Sequence, residues 1–171
     1  MNEFIDAYSD DQIYLTMIRD LVDNHPVESV APENIKPSSF CRLWAVMMVG
    51  SIESMIKVWN TGDTFWADIA AYFDDRSNKN RINRLMSAFQ RRGLSVDAEM
   101  FQDFLAIKYI RNAYIHSKWK EDERVFAKSR GFPGDVMSFS AAHFERMQAV
   151  YFHVMNKLGM VHALNARLRA R

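Results

Sequence analysis

Apolar side chains recur every three or four residues along most of this chain, and this spacing restricts the fold more than any other feature. The longest run extends from a capping serine, Ser38 or Ser39, to Asn60, with apolar residues at Phe40, Leu43, Trp44, Met47, Met48, Met55, Ile56 and Trp59. Such spacing is typical of an amphipathic α-helix. Only 6 glycines and 4 prolines occur in 171 residues, which argues against a turn-rich β fold. The sequence therefore predicts an all-α protein with residues 38–60 as a central core helix.

The same spacing predicts further helices on both sides of the central one. Their expected ranges are 9–24, capped by Ser9 or Asp10; 63–75; 77–92, stopped by Gly93; 95–117, capped by Ser95; and 138–158, capped by Ser138 or Ser140, with a helical tail from Met160. Residues 25–38 are expected to form an irregular connection, and residues 118–137 a loop. We predict an up-and-down helical bundle of four core helices with additional N- and C-terminal helices. A single domain is expected over residues 1–171, with its core at roughly 38–158.

The cysteine content and the apolar runs indicate the cellular compartment of the protein. The single cysteine, Cys41, cannot form an internal disulfide, which fits a reducing compartment. The first residues lack the pattern of a signal peptide, and the longest apolar run, Leu43 to Gly50, is too short to span a membrane. We therefore expect a soluble, cytoplasmic protein that has no membrane partner.

Motifs for metal or cofactor binding are missing from the sequence. It contains no Gly-rich phosphate loop, no His-Glu-x-x-His, no paired cysteines or histidines at metal-ligand spacing and no nucleophile elbow. We therefore predict neither a metal nor a cofactor.

Charge is divided unevenly along the chain. Residues 1–75 carry 4 basic and 13 acidic side chains, a charge of −9, whereas residues 76–171 carry 18 basic and 8 acidic, a charge of +10. This asymmetry can create a basic face for a polyanion, or it can bring oppositely charged elements together within the fold or across a dimer. The predicted helix 77–92 and its start supply the candidate RNA-binding residues Arg76, Lys79, Arg81, Arg84, Arg91 and Arg92. A merely solvated basic helix is the alternative.

One polar cluster lies near the end of the predicted helix 95–117. Arg111, Asn112 and His116 offer a phosphate-binding guanidinium, an amide and an imidazole that can move a proton. On a helix Asn112 and His116 share a face, so the amide can orient the imidazole, whereas Arg111 points off that face. The same face is continued backward by Phe101, Leu105 and Tyr109, so we expect the pair at the end of a core-facing seam. Arg111 and His116 can reach one phosphate only if the helix ends near His116 or a second subunit completes the site.

These residues resemble the motif of the HEPN family (higher eukaryotes and prokaryotes nucleotide-binding domains). That motif is an arginine, four to six residues and a histidine, often with a polar residue directly after the arginine; here it is Arg111, Asn112 and His116 at the end of an amphipathic helix. Many members are metal-independent endoribonucleases that dimerise so that two motifs face each other. Many are toxins or effectors of bacterial defence against phage, and others have lost catalysis. The likeness in architecture extends over residues 38–158.

The resemblance implies a homodimeric endoribonuclease that needs no Mg²⁺ and leaves 2′,3′-cyclic phosphate ends. In this interpretation His116 is the general base or acid, Arg111 holds the scissile phosphate and Asn112 orients the imidazole. The candidate supporting residues are Glu53 as a carboxylate beside Arg111, Lys118 as an added charge, and Trp119 as a stacking face for a base. A solvated Glu53 and a packing Trp119 are the alternatives. RNA is the expected partner, and an antitoxin or regulatory protein is a further candidate.

Two other interpretations of the cluster stay open. In one, the chain is a non-catalytic helical module that binds RNA, a nucleotide or a protein, which predicts binding without turnover. In the other, Arg111, Asn112 and His116 form a buried polar network that fixes helix register. Substitutions would then reduce stability in proportion to activity.

Overall fold

The computed structural model describes residues 3–24, 35–60 and 64–170. This part of the chain contains seven α-helices: α1 (Glu3–Asn24), α2 (Ile35–Val58), α3 (Ala67–Ala70), α4 (Asn78–Arg91), α5 (Ala98–His116), α6 (Glu121–Ser129) and α7 (Ala141–Arg169). A single 3-10 turn, Ala71–Asp74, follows α3. No strand occurs among the described residues, so the predicted all-α helical bundle is confirmed.

Two helices begin or end at the residues that the sequence predicts. Ser77 precedes α4, and its hydroxyl accepts a hydrogen bond from the Asn80 backbone N–H at 3.4 Å, as expected for an N-terminal cap. Gly93 follows α4 with a φ of 72°, a backbone conformation that costs glycine little. Ser140 caps α7, where the His143 side chain bonds back to the Ser140 backbone N–H.

Other helix boundaries differ from the predictions. Helix α1 begins at Glu3, well before Ser9, and α2 begins at Ile35, before Ser38. The cap of α5 is Asp97, whose carboxylate accepts from two backbone N–H groups, and Ser95 has no such role. Most of the connection predicted over residues 25–38 lies outside the described residues. The tail from Met160 continues α7 without a break, so it is not a separate helix.

The predicted loop 118–137 contains a helix, and this prediction was wrong. Helix α6 has three acidic residues in its first turn, where they interact favourably with the positive end of the helix dipole. It packs on α5, with the Phe126 ring edge-on to Tyr109 at 5.8 Å between centroids. Sparse apolar residues made this short helix hard to recognise, since only Ala127 within it is fully buried.

Helix α5 lies at the centre of the bundle beside α2, the helix that the sequence predicts as central. It contacts α2, α4, α6 and α7, and residues 103–108 are all buried, so the helix is enclosed on every side and not along one seam. Large aromatic side chains fill the space around it, including Trp44, Phe89, Phe101, Phe104 and Phe144. The bundle therefore holds the residues that follow on α5 in a fixed place.

A buried carboxylate fastens α5 to its neighbours. The Asp103 side chain is 7% exposed and accepts hydrogen bonds from Arg130 at 2.8 Å and Arg146 at 2.7 Å. Arg130 directly follows α6, and Arg146 belongs to α7. This ion cluster therefore joins three helices, with Arg146 in a structural role.

Helix α2 is the one described helix that is long and apolar enough to cross a membrane. Of its most apolar stretch, 56% is buried inside the fold. The core helix of a soluble protein meets the same criterion, and here α2 packs against α1, α5 and α7.

Candidate functional site

Helix α5 ends at His116, one of the two conditions under which Arg111 and His116 could share a phosphate. Ser117 adopts a left-handed conformation with a φ of 50°, and the N–H groups of Ser117 and Lys118 both bond to the Ala113 carbonyl. The chain then leaves the helix axis toward α6. The motif therefore occupies the last turn and a half of the central helix.

Arg111 and Asn112 line a polar cleft of about 520 Å³. Its walls come from α5, the start of α4 and the start of α6, with Glu53 contributed by α2. Five basic side chains (Arg76, Arg81, Lys108, Arg111 and Lys120) and three acidic ones (Glu53, Asp122 and Glu123) line it, a net formal charge of +2. The size and net positive charge of this cleft suit a large anion, such as part of a phosphate-containing chain, better than a small inorganic ion.

Two of the lining side chains, Glu53 and Lys108, form a hydrogen-bonded network with Tyr72, which is buried and does not itself line the cleft. Lys108, which is 3% exposed, donates to both Glu53 and the Tyr72 hydroxyl, and the Tyr72 hydroxyl lies 3.0 Å from Glu53. Glu53 also faces the Arg111 guanidinium at 3.6 Å. Glu53 is therefore a partner of the arginine, as the supporting role predicts, and not a solvated residue.

Burial and pairing shift the pKa values of these groups in opposite directions for Glu53 and Lys108, and in the same direction for Tyr72. Burial alone would raise the pKa of Glu53, but Lys108, Tyr72 and Arg111 together hold it below its ordinary value. Burial lowers the pKa of Lys108, against the attraction of Glu53, and burial together with Glu53 raises the pKa of Tyr72. At neutral pH Glu53 is therefore a carboxylate and Tyr72 a neutral hydrogen-bond donor.

The Asn112 side chain pairs with Arg111. Its amide oxygen accepts a hydrogen bond from the Arg111 guanidinium at 2.9 Å. Within the described residues no hydrogen bond joins Asn112 to His116. Asn112 thus holds the arginine, whereas the sequence predicts that it orients the imidazole.

His116 is exposed and lies outside the cleft lining. The expectation that the Asn112/His116 pair ends a core-facing seam fails at His116, because α5 extends beyond the core at its last turn. No hydrogen bond or ion pair holds the imidazole among the described residues. The imidazole is therefore open to solvent, one and a half turns from Arg111.

The basic residues around α4 separate into two locations. Arg76 and Arg81 line the cleft with Arg111, whereas Arg84 and Arg91 line a second hollow along α4. Lys79 is exposed and lines neither. The predicted RNA-binding residues are therefore divided between two hollows.

Asp68 neutralises part of that predicted surface. Its carboxylate binds Arg91 at 2.8 Å and Arg92 at 2.6 Å, and Arg92 also donates to the Phe65 carbonyl. Burial would raise the pKa of Asp68, but these arginines lower it. Because the Arg92 side chain is 11% exposed and both of its terminal nitrogens already donate hydrogen bonds within the fold, it is unavailable to an external phosphate, contrary to the prediction. Part of the charge asymmetry along the sequence thus reflects pairing inside the fold.

Lys118 and Trp119 lie in a groove separate from the cleft. Lys118 is exposed, whereas Trp119 is half-buried and packs against the core. Both line this groove together with Tyr114. The groove and the cleft adjoin the same end of α5.

Sequence reasoning missed Tyr72 and Lys108. A signal for Lys108 was present, since a lysine within the apolar run 104–110 lies three and four residues before Arg111 and Asn112, on one helix face. Tyr72 had no comparable signal, because only the folded chain brings the 3-10 turn to α5. Among the described residues, no group of three His, Cys, Asp or Glu is arranged to hold a metal ion.

Ser117→Gly is expected to stabilise the protein. A non-glycine residue with a φ of 50° is strained, whereas glycine is not. After allowing for the greater freedom of glycine in the unfolded chain, the free energy of unfolding should rise by about 0.5–1 kcal/mol. Urea denaturation measures this change. Ala149→Gly is the control, because Ala149 is an exposed residue inside α7 with ordinary helical geometry, and this variant should lose about 1 kcal/mol. A loss at Ser117 as well would contradict the strain argument.

Comparisons of the chain with protein-family models, with curated proteins and with solved structures give no match. The likeness to the HEPN family therefore rests on Arg111, Asn112 and His116 and on the helical architecture around them.

Proposed function

We propose that the protein is a metal-independent endoribonuclease of the HEPN type. The observation that carries the proposal is the end of α5, where a solvent-open His116 adjoins a cationic cleft that contains Arg111. Arg111 binds the scissile phosphate and stabilises its developing charge. His116 takes the proton of the ribose 2′-hydroxyl or supplies one to the leaving 5′-oxygen. This reaction yields a 2′,3′-cyclic phosphate.

The spacing of the two residues favours a composite site between two copies. Five residues of helix separate Arg111 from His116 by about 7.5 Å along the axis and turn the helix by about 140°. The two side chains of one chain therefore leave α5 in different directions. A homodimer with Arg111 of one copy facing His116 of the other would bring both to one phosphate.

The test of the proposal is cleavage of RNA in the presence of EDTA. Wild-type protein is expected to cleave, and Arg111→Ala is expected to lower the rate by about 10²- to 10³-fold, the range for removing a group that stabilises transition-state charge. Arg167→Ala is the matched control, since Arg167 is an exposed arginine on α7 that does not line the cleft. If the wild type cleaves neither tRNA nor structured loops nor single strands, the proposal of a nuclease is rejected.

A non-catalytic RNA- or nucleotide-binding module is the second candidate. It is favoured by the position of His116 outside a cleft that is already lined by charged groups. Under this alternative the protein binds RNA with a strong salt dependence but does not turn it over. If fluorescence anisotropy shows that RNA binds and no cleavage is detected, this alternative is supported.

A role as a toxin or phage-defence effector follows from the nuclease proposal. Expression of the wild type should then slow growth, and an antitoxin or regulatory protein would be the natural partner. The Arg111→Ala protein should relieve the growth defect. A defect of equal size with that variant would point away from cleavage as the cause.

A further inference from the structure

The groove that contains Lys118 and Trp119 has the form of a second ligand site. It has a volume of about 500 Å³ and is bounded by the end of α5, the start of α6 and residues 134–136. Tyr114, Ser117, Arg124 and Asp135 also line it. None of these residues belongs to the cleft around Arg111.

His116 lies on the ridge between the groove and the cleft. Successive residues of an α-helix turn by about 100°, so His116 projects about 40° from Asn112, which faces the cleft, and about 60° from Ala113, which faces the groove. The connection from α5 to α6 crosses the same ridge. Lys118 and Trp119 line the groove, whereas Lys120 lines the cleft. A ligand that extends across the ridge would pass directly over the imidazole.

The side chains of the groove suit a flat aromatic ligand with polar edges. The Tyr114 ring is 41% exposed, and the Arg42 guanidinium lies 5.7 Å from its centroid. Trp119 supplies a second aromatic side chain in the same groove. Aromatic rings stack on bases, and a carboxylate such as Asp135 accepts hydrogen bonds from exocyclic amino groups. The cleft across the ridge offers the opposite chemistry, cationic and almost without aromatic rings.

We propose that this groove is a nucleobase site, which binds an unpaired base next to the phosphate held in the cleft. The inference rests on the proposed function in naming RNA as the ligand, and it adds a site for a base on the far side of His116. A base inside a duplex is stacked and paired and cannot enter the groove. The base must therefore be unpaired at the position where the strand crosses His116.

The test uses an oligoribonucleotide with 2′-O-methyl groups, which cannot be cleaved through the 2′-oxygen. Anisotropy should show that the single strand binds roughly 5- to 150-fold tighter than the same strand with abasic sugars, the range for stacking one base on an aromatic ring. Tyr114→Ala should abolish most of this difference, and Tyr114→Phe should keep it. Tyr14→Ala is the matched control, because Tyr14 is an exposed tyrosine on α1, 64% exposed.

Failure of the inference can be told apart from failure of the proposed function. Equal affinity for the normal and abasic strands, or an equal loss with Tyr14→Ala, would overturn the base site even if unmodified RNA is cleaved. Base-dependent binding that is lost with Tyr114→Ala would support the site even if no cleavage occurs. A wild-type protein that does not bind the oligonucleotide at all would overturn the inference.

Discussion

Replacing His116 with alanine is expected to lower RNA cleavage by about 10²- to 10⁴-fold, the usual contribution of general acid–base catalysis. The melting temperature should not change measurably, because His116 is exposed, ends its helix and has no hydrogen-bond partner within the described part of the chain. The cleavage rate in EDTA and the melting temperature should be measured on the same samples. This combination separates catalysis from the alternative of a buried polar network.

The control for His116 is another exposed helical histidine. His162 on α7 stacks on Trp59 with 4.5 Å between ring centroids, so His162→Ala should cost a little stability and no activity. A similar loss of cleavage with both variants would mean that the assay does not report on the motif.

A mixing experiment extends this prediction to the composite site. Alone, His116→Ala and Arg111→Ala should each cleave at a small fraction of the wild-type rate, but in a heterodimer one of the two sites would combine an intact arginine with an intact histidine. Random mixing should then recover about a quarter of the wild-type rate, since half of the dimers are mixed and half of their sites are complete. If mixing recovers nothing, the two residues do not act across a dimer in this way.

Glu53→Ala is expected to produce the largest loss of stability at the site. The substitution leaves Lys108, which is 3% exposed, without its carboxylate, and breaking a buried pair in this way costs about 3–5 kcal/mol. Urea denaturation measures the loss. Glu145→Ala is the matched control, because its ion pair with Arg19 is 3.7 Å long and its side chain is 68% exposed, so at most about 1 kcal/mol should be lost.

Replacing both charged partners should restore much of that stability. Glu53→Leu with Lys108→Met exchanges the pair for apolar groups, which is often neutral or stabilising. A double variant as unstable as Glu53→Ala would show that the cost lies elsewhere, for example in the Tyr72 hydroxyl left without its acceptor.

The contribution of Glu53 to the stability of the fold should decrease as pH falls. Since its pKa is lower in the folded protein than the ordinary 4.5, the carboxylate stabilises the fold at neutral pH, and this contribution is lost as pH falls through the lowered pKa. The difference in stability between the wild type and Glu53→Gln should therefore shrink in acid. A constant difference from pH 7 to pH 3 would contradict the pairing with Lys108.

Local chemistry explains which parts of the fold the sequence could predict. Ser77 and Gly93 bound α4 because capping and a positive φ depend on neighbouring residues alone. Contacts between distant segments had no such signal: Tyr72 reaches Lys108 across 36 positions, and Glu53 reaches it across 55. The contacts of Lys108 and Tyr72 were therefore not predicted, although Glu53 was expected beside Arg111. The exposure of His116 also depends on where the surrounding helices end.

The central position of α5 gives the two ends of the motif different dynamics. Its middle is enclosed by four helices, so amide hydrogens there should exchange with solvent only when the whole protein opens. His116 belongs to the last, solvent-covered turn, where helices fray and amides exchange quickly. We therefore expect amide exchange to become faster along α5, from the buried segment 103–108, through the half-buried Arg111, to the exposed His116. The histidine then belongs to the part of the motif that can adjust most easily to a strand passing over it.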